Sequence, residues 1–292
     1  MSLMATAGRR ALIAFMCVAT LVVASGCGPD PESETHEECA SLLGVQGRVV
    51  IGMHSDQPGL NFQQTDSTRG GFDYDLAQWL GSYCGLNVVE QNLGTTQREG
   101  ELQDEDGADI VIGSYSITDE RKEDISFAGP YMKTKQGVMV RSDSGIESAA
   151  DLAGKKVCAA RSSTSWSQMN ENLAGIVAVQ EEGFGVCTQK LLDGTVDAVS
   201  TDQLLLYGYA EEFGSLRVLP DEQFGNAELY GIGIDHGDAE LCAFLNDAIL
   251  EALISGWWVQ TFENNFPDYL DPADFKPDDG DLTECPDQDA EP

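Results

Sequence analysis

Ser114, Ser116 and Arg121 share one stretch, Gly113-Ser114-Tyr115-Ser116-Ile117-Thr118-Asp119-Glu120-Arg121, that follows the apolar run Ile110-Val111-Ile112. The run reads as a buried strand. Glycine then opens the chain, hydroxyls alternate, and a guanidinium follows. A strand end that offers N–H groups, hydroxyls and an arginine fork can receive a carboxylate. The same residues also suit a plain turn beside a solvated arginine. Ser163, Thr164 and Ser165 stand where a helix begins. N–H groups at a helix start point at an anion, and one of these side chains is expected to cap it. Asp202 ends the strand-like run Val196-Asp197-Ala198-Val199-Ser200-Thr201, where a lone acid also suits a plain turn. Arg98 and Arg161 are spare cations, and Gln57 offers an amide in the turn-rich loop Ser55–Gly59. His36, His54 and His236 are scattered, and no nucleophile–base pair stands out. No CxxC pair suggests zinc, and no cofactor or metal is expected.

The 292 residues suit one large domain or two lobes. Sixteen Lys and Arg face fifty Asp and Glu, for a net charge of −34. That charge argues against nucleic acid and against an anionic membrane face. A solvated acidic surface accounts for it, as would a salty habitat. The first residues read as a targeting segment, 1–26: Arg9 and Arg10 form a positive start, and Ala11 to Ala24 is apolar but short for a membrane span. Ala24-Ser25-Gly26-Cys27 resembles a bacterial lipobox, which implies cleavage before Cys27 and lipid on its sulfur, anchoring the chain to the membrane without spanning it.

The elements that must position these residues follow in order. Residues 27–47 read as a lipidated flexible tether. Val49–Gly52 is a buried strand. Gly71-Phe72-Asp73-Tyr74-Asp75-Leu76 opens a helix that Gly85 stops, with Asp73 and Asp75 as capping carboxylates at its positive end. A strand from Leu86, a helix from about Gln97 and the strand before Gly113 complete a β-α-β-α-β order. This order marks a mostly parallel sheet with ligands at strand carboxyl ends. Phe127-Ala128-Gly129-Pro130-Tyr131 breaks the pattern, and Gln136–Arg141 is a further strand. A second α/β unit runs from Asp151 to Ile234. Leu241–Ser255 is an amphipathic helix, and an acidic tail closes the chain.

Gly71-Phe72-Asp73-Tyr74-Asp75-Leu76-Ala77, Ser116-Ile117-Thr118 with Arg121, and Phe127-Ala128-Gly129-Pro130-Tyr131 resemble the family 3 solute-binding proteins of ABC importers, from about Val49 to Phe266. Asp56-Gln57-Pro58-Gly59-Leu60, Gln97-Arg98-Glu99, Tyr115-Ser116-Ile117, Gly129-Pro130-Tyr131, Tyr230-Gly231-Ile232-Gly233 and the cysteines at 158 and 187 are similar to the glutamate-binding lipoproteins of actinobacteria.

The resemblance implies an α/β, two-lobed periplasmic-binding-protein-like fold of type II. Each lobe is then a mostly parallel sheet flanked by helices, with two crossing segments, near Tyr131–Gln136 and Tyr230–Asp235. Lobe 1 is expected at 48–133 and 235–285, lobe 2 at 134–234, and a tail at 286–292. Arg121, Ser116 and Ser114 would hold an α-carboxylate, with Thr164 and Ser165 opposite, and Asp202 would take the α-ammonium. Gln57 would stand where relatives for uncharged or cationic ligands place an aromatic, and Arg98, Arg161 or both would hold a γ-carboxylate. Glutamate is favoured, with aspartate and glutamine as alternatives.

Of eight cysteines, Cys17 would leave with the signal and Cys27 would carry lipid. The pairs Cys158–Cys187, Cys39–Cys84 and Cys242–Cys285 are expected, each within one lobe. Partners would be a free amino acid, ABC permease subunits and the membrane through Cys27, with no nucleic acid and a monomeric chain. The rival reading is an enzyme, since a few relatives are cyclohexadienyl dehydratases; a sensor ectodomain is a third.

Overall fold

A computed structural model of the chain describes residues 31–64, 68–278 and 280–286. The targeting segment, Cys17, Cys27 and the last six residues lie outside the described residues. In chain order the elements are α1 (Pro31–Leu42), β1 (Arg48–Met53), β2 (Asp56–Gln57), β3 (Asn61–Gln63), β4 (Arg69–Gly70), α2 (Phe72–Tyr83), β5 (Asn87–Asn92), α3 (Arg98–Leu102), β6 (Ile110–Val111), β7 (Ser126–Arg141), β8 (Lys156–Ala160), α4 (Thr164–Asn172), β9 (Val177–Glu181), α5 (Phe184–Leu192), β10 (Ala198–Asp202), α6 (Gln203–Glu212), β11 (Leu216–Val218), β12 (Phe224–Ile234), α7 (Ala239–Ile254), α8 (Trp257–Asn265) and α9 (Pro272–Phe275).

The main sheet runs in the order β5-β1-β6-β12-β7-β10-β8-β9, with β11 on β7. At one end β1 pairs in parallel with β5 and β6; at the other β8 pairs in parallel with β9 and β10. These ends are the two lobes. Near-continuous apolar strands such as Val157-Cys158-Ala159-Ala160, buried throughout, are what parallel strands covered on both faces require. Two long antiparallel strands, β7 and β12, join the ends. The first half of β7 pairs with β12, and from Gln136 onward it pairs with β10. Glu228 of β12 lies opposite Thr134 of β7, so the chain crosses between lobes around that pair. The second crossing therefore sits upstream of the expected 230–235, because Ile232–Ile234 already pair with Ser126–Ala128. Phe127–Tyr131 is likewise no break but the start of the 16-residue strand β7.

The tether expectation fails over residues 31–42, which form α1. Cys39 is fully buried and bonded to Cys84 at the end of α2, and Ala40 and Leu42 pack on the same core. Acidic composition hid this helix: its attachment comes from one disulfide and a few apolar contacts rather than an apolar stripe. Cys158–Cys187 and Cys242–Cys285 are also formed, so all three expected pairs are present. Each lies within one lobe, which leaves relative motion of the lobes unstapled. Among the described residues no single helix is long and apolar enough to cross a membrane.

Candidate binding cleft between the lobes

The lobe-1 wall is built on the turn after β6. Ser114 takes a positive φ of 42°, uncommon for a non-glycine residue. Asp73 holds it there: one carboxylate oxygen accepts the Ser114 N–H at 2.8 Å, and the other accepts the Tyr131 hydroxyl at 2.9 Å. Asp73 is therefore not a helix cap but a buried brace joining α2, the turn and β7. Burial raises its pKa to about 6 against the opposing pull of both donors. The Ser114 hydroxyl donates to Oε1 of the buried Gln57 at 3.0 Å, which fixes that side chain in the wall.

Arg121 is held by three contacts. Its Nη1 donates to the Ser116 carbonyl at 2.6 Å, its Nη2 to the Ser162 carbonyl at 3.2 Å, and its Nε lies 3.6 Å from Glu99. Glu99 in turn accepts the Tyr115 hydroxyl. Arg98 sits 4.0 Å over the same Tyr115 ring and donates to the carbonyls of Thr95 and Gly113 at 3.3 and 3.2 Å. It is 3% exposed, and among the described residues no carboxylate lies within ion-pair distance of it. Burial first, then the nearby Arg121, lowers its pKa to about 10, so it stays cationic at neutral pH. His54 beside it is pushed down to about 3, by burial first and then by Arg98, and is neutral.

The lobe-2 wall is the start of α4 and the end of β10. Ser163 is the cap: its hydroxyl accepts the Trp166 N–H and donates to the Ala160 carbonyl. That leaves Thr164 and Ser165 on the cavity, with N–H groups that have no acceptor within the helix. Ser165 shares a hydrogen bond with the Thr201 hydroxyl at 3.1 Å. Asp202 accepts from Gln136 and from the Tyr230 hydroxyl, each at 2.5 Å.

The two walls meet. Ser116 and Thr164 hydroxyls stand 3.5 Å apart, and Arg121 bridges to Ser162. Beside them the loop of Asp56 and Pro58 docks on lobe 2. Asp56 Oδ2 accepts the Gly185 N–H at 3.2 Å, and its carbonyl accepts the Tyr209 hydroxyl at 2.7 Å. The fit is close enough that a Cβ on Gly208 would stand 1.9 Å from the Pro58 carbonyl oxygen. The cavity left between the walls is only about 10 Å³. That is room for one water and far less than an amino acid occupies, so these contacts must part to admit a ligand. A polar groove of about 470 Å³, lined by Glu99, Arg121, Ser162 and Trp166 among others, leads to it from solvent.

Gln57, Arg98, Ser114, Ser116, Arg121, Thr164, Ser165 and Asp202 all line this one cavity, with His54 and Thr95. Arg161 does not. Its side chain is 52% exposed and pairs with Glu182 at 3.0 Å. Its standing as a spare cation at a motif position pointed to it, but the chain carries the guanidinium outward to Glu182. His54, Gln136 and Glu228 at the cleft lie outside the quoted motifs, and Asp73 and Tyr230 lie inside them without having been given a place in the cleft, because each acts by a contact distant in sequence.

With this geometry in hand, comparison with known proteins is informative. The sequence profile of the bacterial extracellular solute-binding proteins, family 3, matches residues 49–268. The glutamate-binding protein GluB of Corynebacterium efficiens is 33% identical over 216 residues, covering 70% of this chain and 73% of that protein. The L-cystine-binding protein TcyJ of Escherichia coli is 28% identical over 248 residues, covering 84% and 90%. Among solved structures, a cysteine-binding protein from Campylobacter jejuni superposes with a TM-score of 0.73 at 23% identity, covering 84% of this chain and 98% of its own. An ancestral arginine-binding protein bound to arginine gives 0.68 at 29% identity, covering 76% and 99%.

Proposed function

We propose that this chain, which belongs to the bacterial extracellular solute-binding proteins, family 3, captures glutamate between its lobes and delivers it to an ABC permease. Arg121, the hydroxyls of Ser116 and Ser114, and the start of α4 with Ser165 receive the α-carboxylate. Asp202 receives the α-ammonium. Arg98, with Gln57 beside it, receives the γ-carboxylate. The chain is exported, and lipid on Cys27 holds it at the outer face of the membrane as a monomer. Lobe 1 comprises 48–133 and the chain from about 229 to 285, and lobe 2 comprises about 134–228, the return crossing lying around Glu228 rather than at the expected 235. No catalytic step is assigned to the cleft.

The observation that carries the ligand is Arg98: a buried cation on the cavity wall, held by carbonyls and an aromatic face and lacking a carboxylate partner among the described residues. A buried charge without a counter-ion is costly, and an anionic side chain of the ligand relieves that cost. The relation to GluB agrees with this reading. Titration calorimetry on Arg98→Gln tests it. Glutamate affinity should fall by about ten- to a hundredfold, the range of one charge-assisted bond, with glutamine little affected. Unchanged glutamate affinity would end the assignment.

A further inference from the structure

Two carboxylates meet behind the lobe-2 wall, and among the described residues no Lys or Arg forms an ion pair with either. Asp202 ends β10 and Glu228 lies on the crossing strand β12; each is 5% exposed. Gln136, on the other crossing strand, donates its Nε2 to both, at 2.5 Å to Asp202 and 3.0 Å to Glu228. The Tyr230 hydroxyl donates to the second oxygen of Asp202, and the Thr164 hydroxyl donates to Glu228 at 3.0 Å. Every donor in this cluster is neutral. Arg121 acts on Asp202 only from a distance, its own donors being engaged elsewhere. Neutral donors can hold two buried carboxylates in place but cannot balance two like charges. A proton can, and so can an ammonium.

We infer that Asp202, with Glu228 beside it on the same amide, holds a proton in the ligand-free protein and exchanges it for the ammonium of the ligand, with Glu228 as a positioning residue. The inference rests on the amino-acid reading above and specifies its ammonium half. The exchange balances simply: Asp202 gives one proton to solvent, the ligand keeps its three ammonium protons, and no covalent bond of the ligand changes. Burial first, then the charge of Glu228, drives the Asp202 carboxyl well above its ordinary range, against the pull of Tyr230, Arg121 and Gln136. Glu228 also sets the polarity of Thr164. With its proton turned to Glu228, the Thr164 hydroxyl faces Ser116 with lone pairs. It can then accept from an ammonium and cannot donate to a carboxylate, which moves Thr164 from the carboxylate half of the site to the ammonium half.

The groups facing the pair are Gln136 from β7, Tyr230 from β12, Thr164 from α4 and Arg121 from lobe 1. Across the cavity His54 stays neutral over pH 6–8, and Asp73 behind Ser114 titrates equally in parent and variant. The test is calorimetric titration of the signal-free chain with glutamate in two buffers of different ionisation enthalpy, across pH 6–8, with Glu228→Gln beside the parent. Glutamine keeps an acceptor for Thr164 and removes the second charge. The parent should release about one proton per glutamate where Asp202 is protonated, with affinity falling about tenfold per pH unit toward acid. The variant keeps the burial of Asp202 but loses the neighbouring charge, so it should release clearly fewer protons and have a shallower profile. Equal proton release in the two proteins, or none in the parent, overturns the inference. If glutamate does not bind, the ligand reading fails instead, and the proton count is taken on glutamine, aspartate or arginine, each of which brings the same ammonium.

Discussion

The two walls of the cleft carry opposite charges and hold them by different means. On lobe 1, Arg98 and Arg121 are fixed by backbone carbonyls and the face of Tyr115. Glu99 pairs with Arg121 on this wall, while Arg98, with no carboxylate within ion-pair distance among the described residues, keeps its charge at neutral pH. On the lobe-2 side, Asp202 is fixed by an amide and a phenol from the crossing strands, next to a second acid. That wall can lose its charge to a proton. On the proposed reading the difference separates tasks: the wall of Arg98 and Arg121 selects the ligand, while Asp202 and the crossing strands take its ammonium.

The comparison breaks most sharply at Arg121. Arg121→Ala removes the guanidinium proposed to receive the α-carboxylate and should cost every amino-acid ligand about a hundredfold in affinity, roughly 3 kcal/mol, measured by calorimetry. Gly208→Ala leaves both walls intact but sets a methyl against the Pro58 carbonyl. Affinity should fall about tenfold or more while the melting temperature hardly moves, since closure and not folding meets the clash; small-angle scattering with glutamate present should report a more open shape.

His54 gives a smaller effect, on stability. It is neutral in both folded and unfolded chains above pH 6.5, so there it contributes nothing. As pH falls from 6.5 toward 3, the unfolded chain binds a proton that the folded one refuses, and stability drops. Asp73 works in the opposite sense: with a folded pKa of about 6, it makes stability fall as pH rises from 3.8 to 6. Denaturant melts of His54→Gln should therefore lose less stability on acidification than the parent does. Arg161→Ala is the smallest change. An exposed pair with Glu182 is worth little, and glutamate affinity should stay within about twofold.

Much of this arrangement was legible in the sequence, for physical reasons. Asp202 ends β10, and Ser116 and Arg121 follow β6 in the segment that leaves the sheet at the cleft, Arg121 opening a short 3-10 turn, Arg121–Glu123. Arg98 and Arg161 looked alike because both sit at motif positions with hydroxyl neighbours; only packing shows that one lies on Tyr115 inside the wall and the other points to Glu182 outside it. Asp73 resembled a helix cap because the first turn of a helix attracts acids, yet its partners are Ser114 and Tyr131, far along the chain. Glu228 was invisible for a related reason: a lone acid in a strand reads as surface until β7 places Gln136 beside it. α1 was missed because a disulfide, not a hydrophobic stripe, ties it down.

The most direct measurement is a titration series on the intact, ligand-stripped protein with glutamate, aspartate, glutamine and arginine. A cationic wall built around Arg98 and Arg121 should bind glutamate most tightly, glutamine more weakly and arginine least. Arginine binding more tightly than glutamate would contradict the account at its centre.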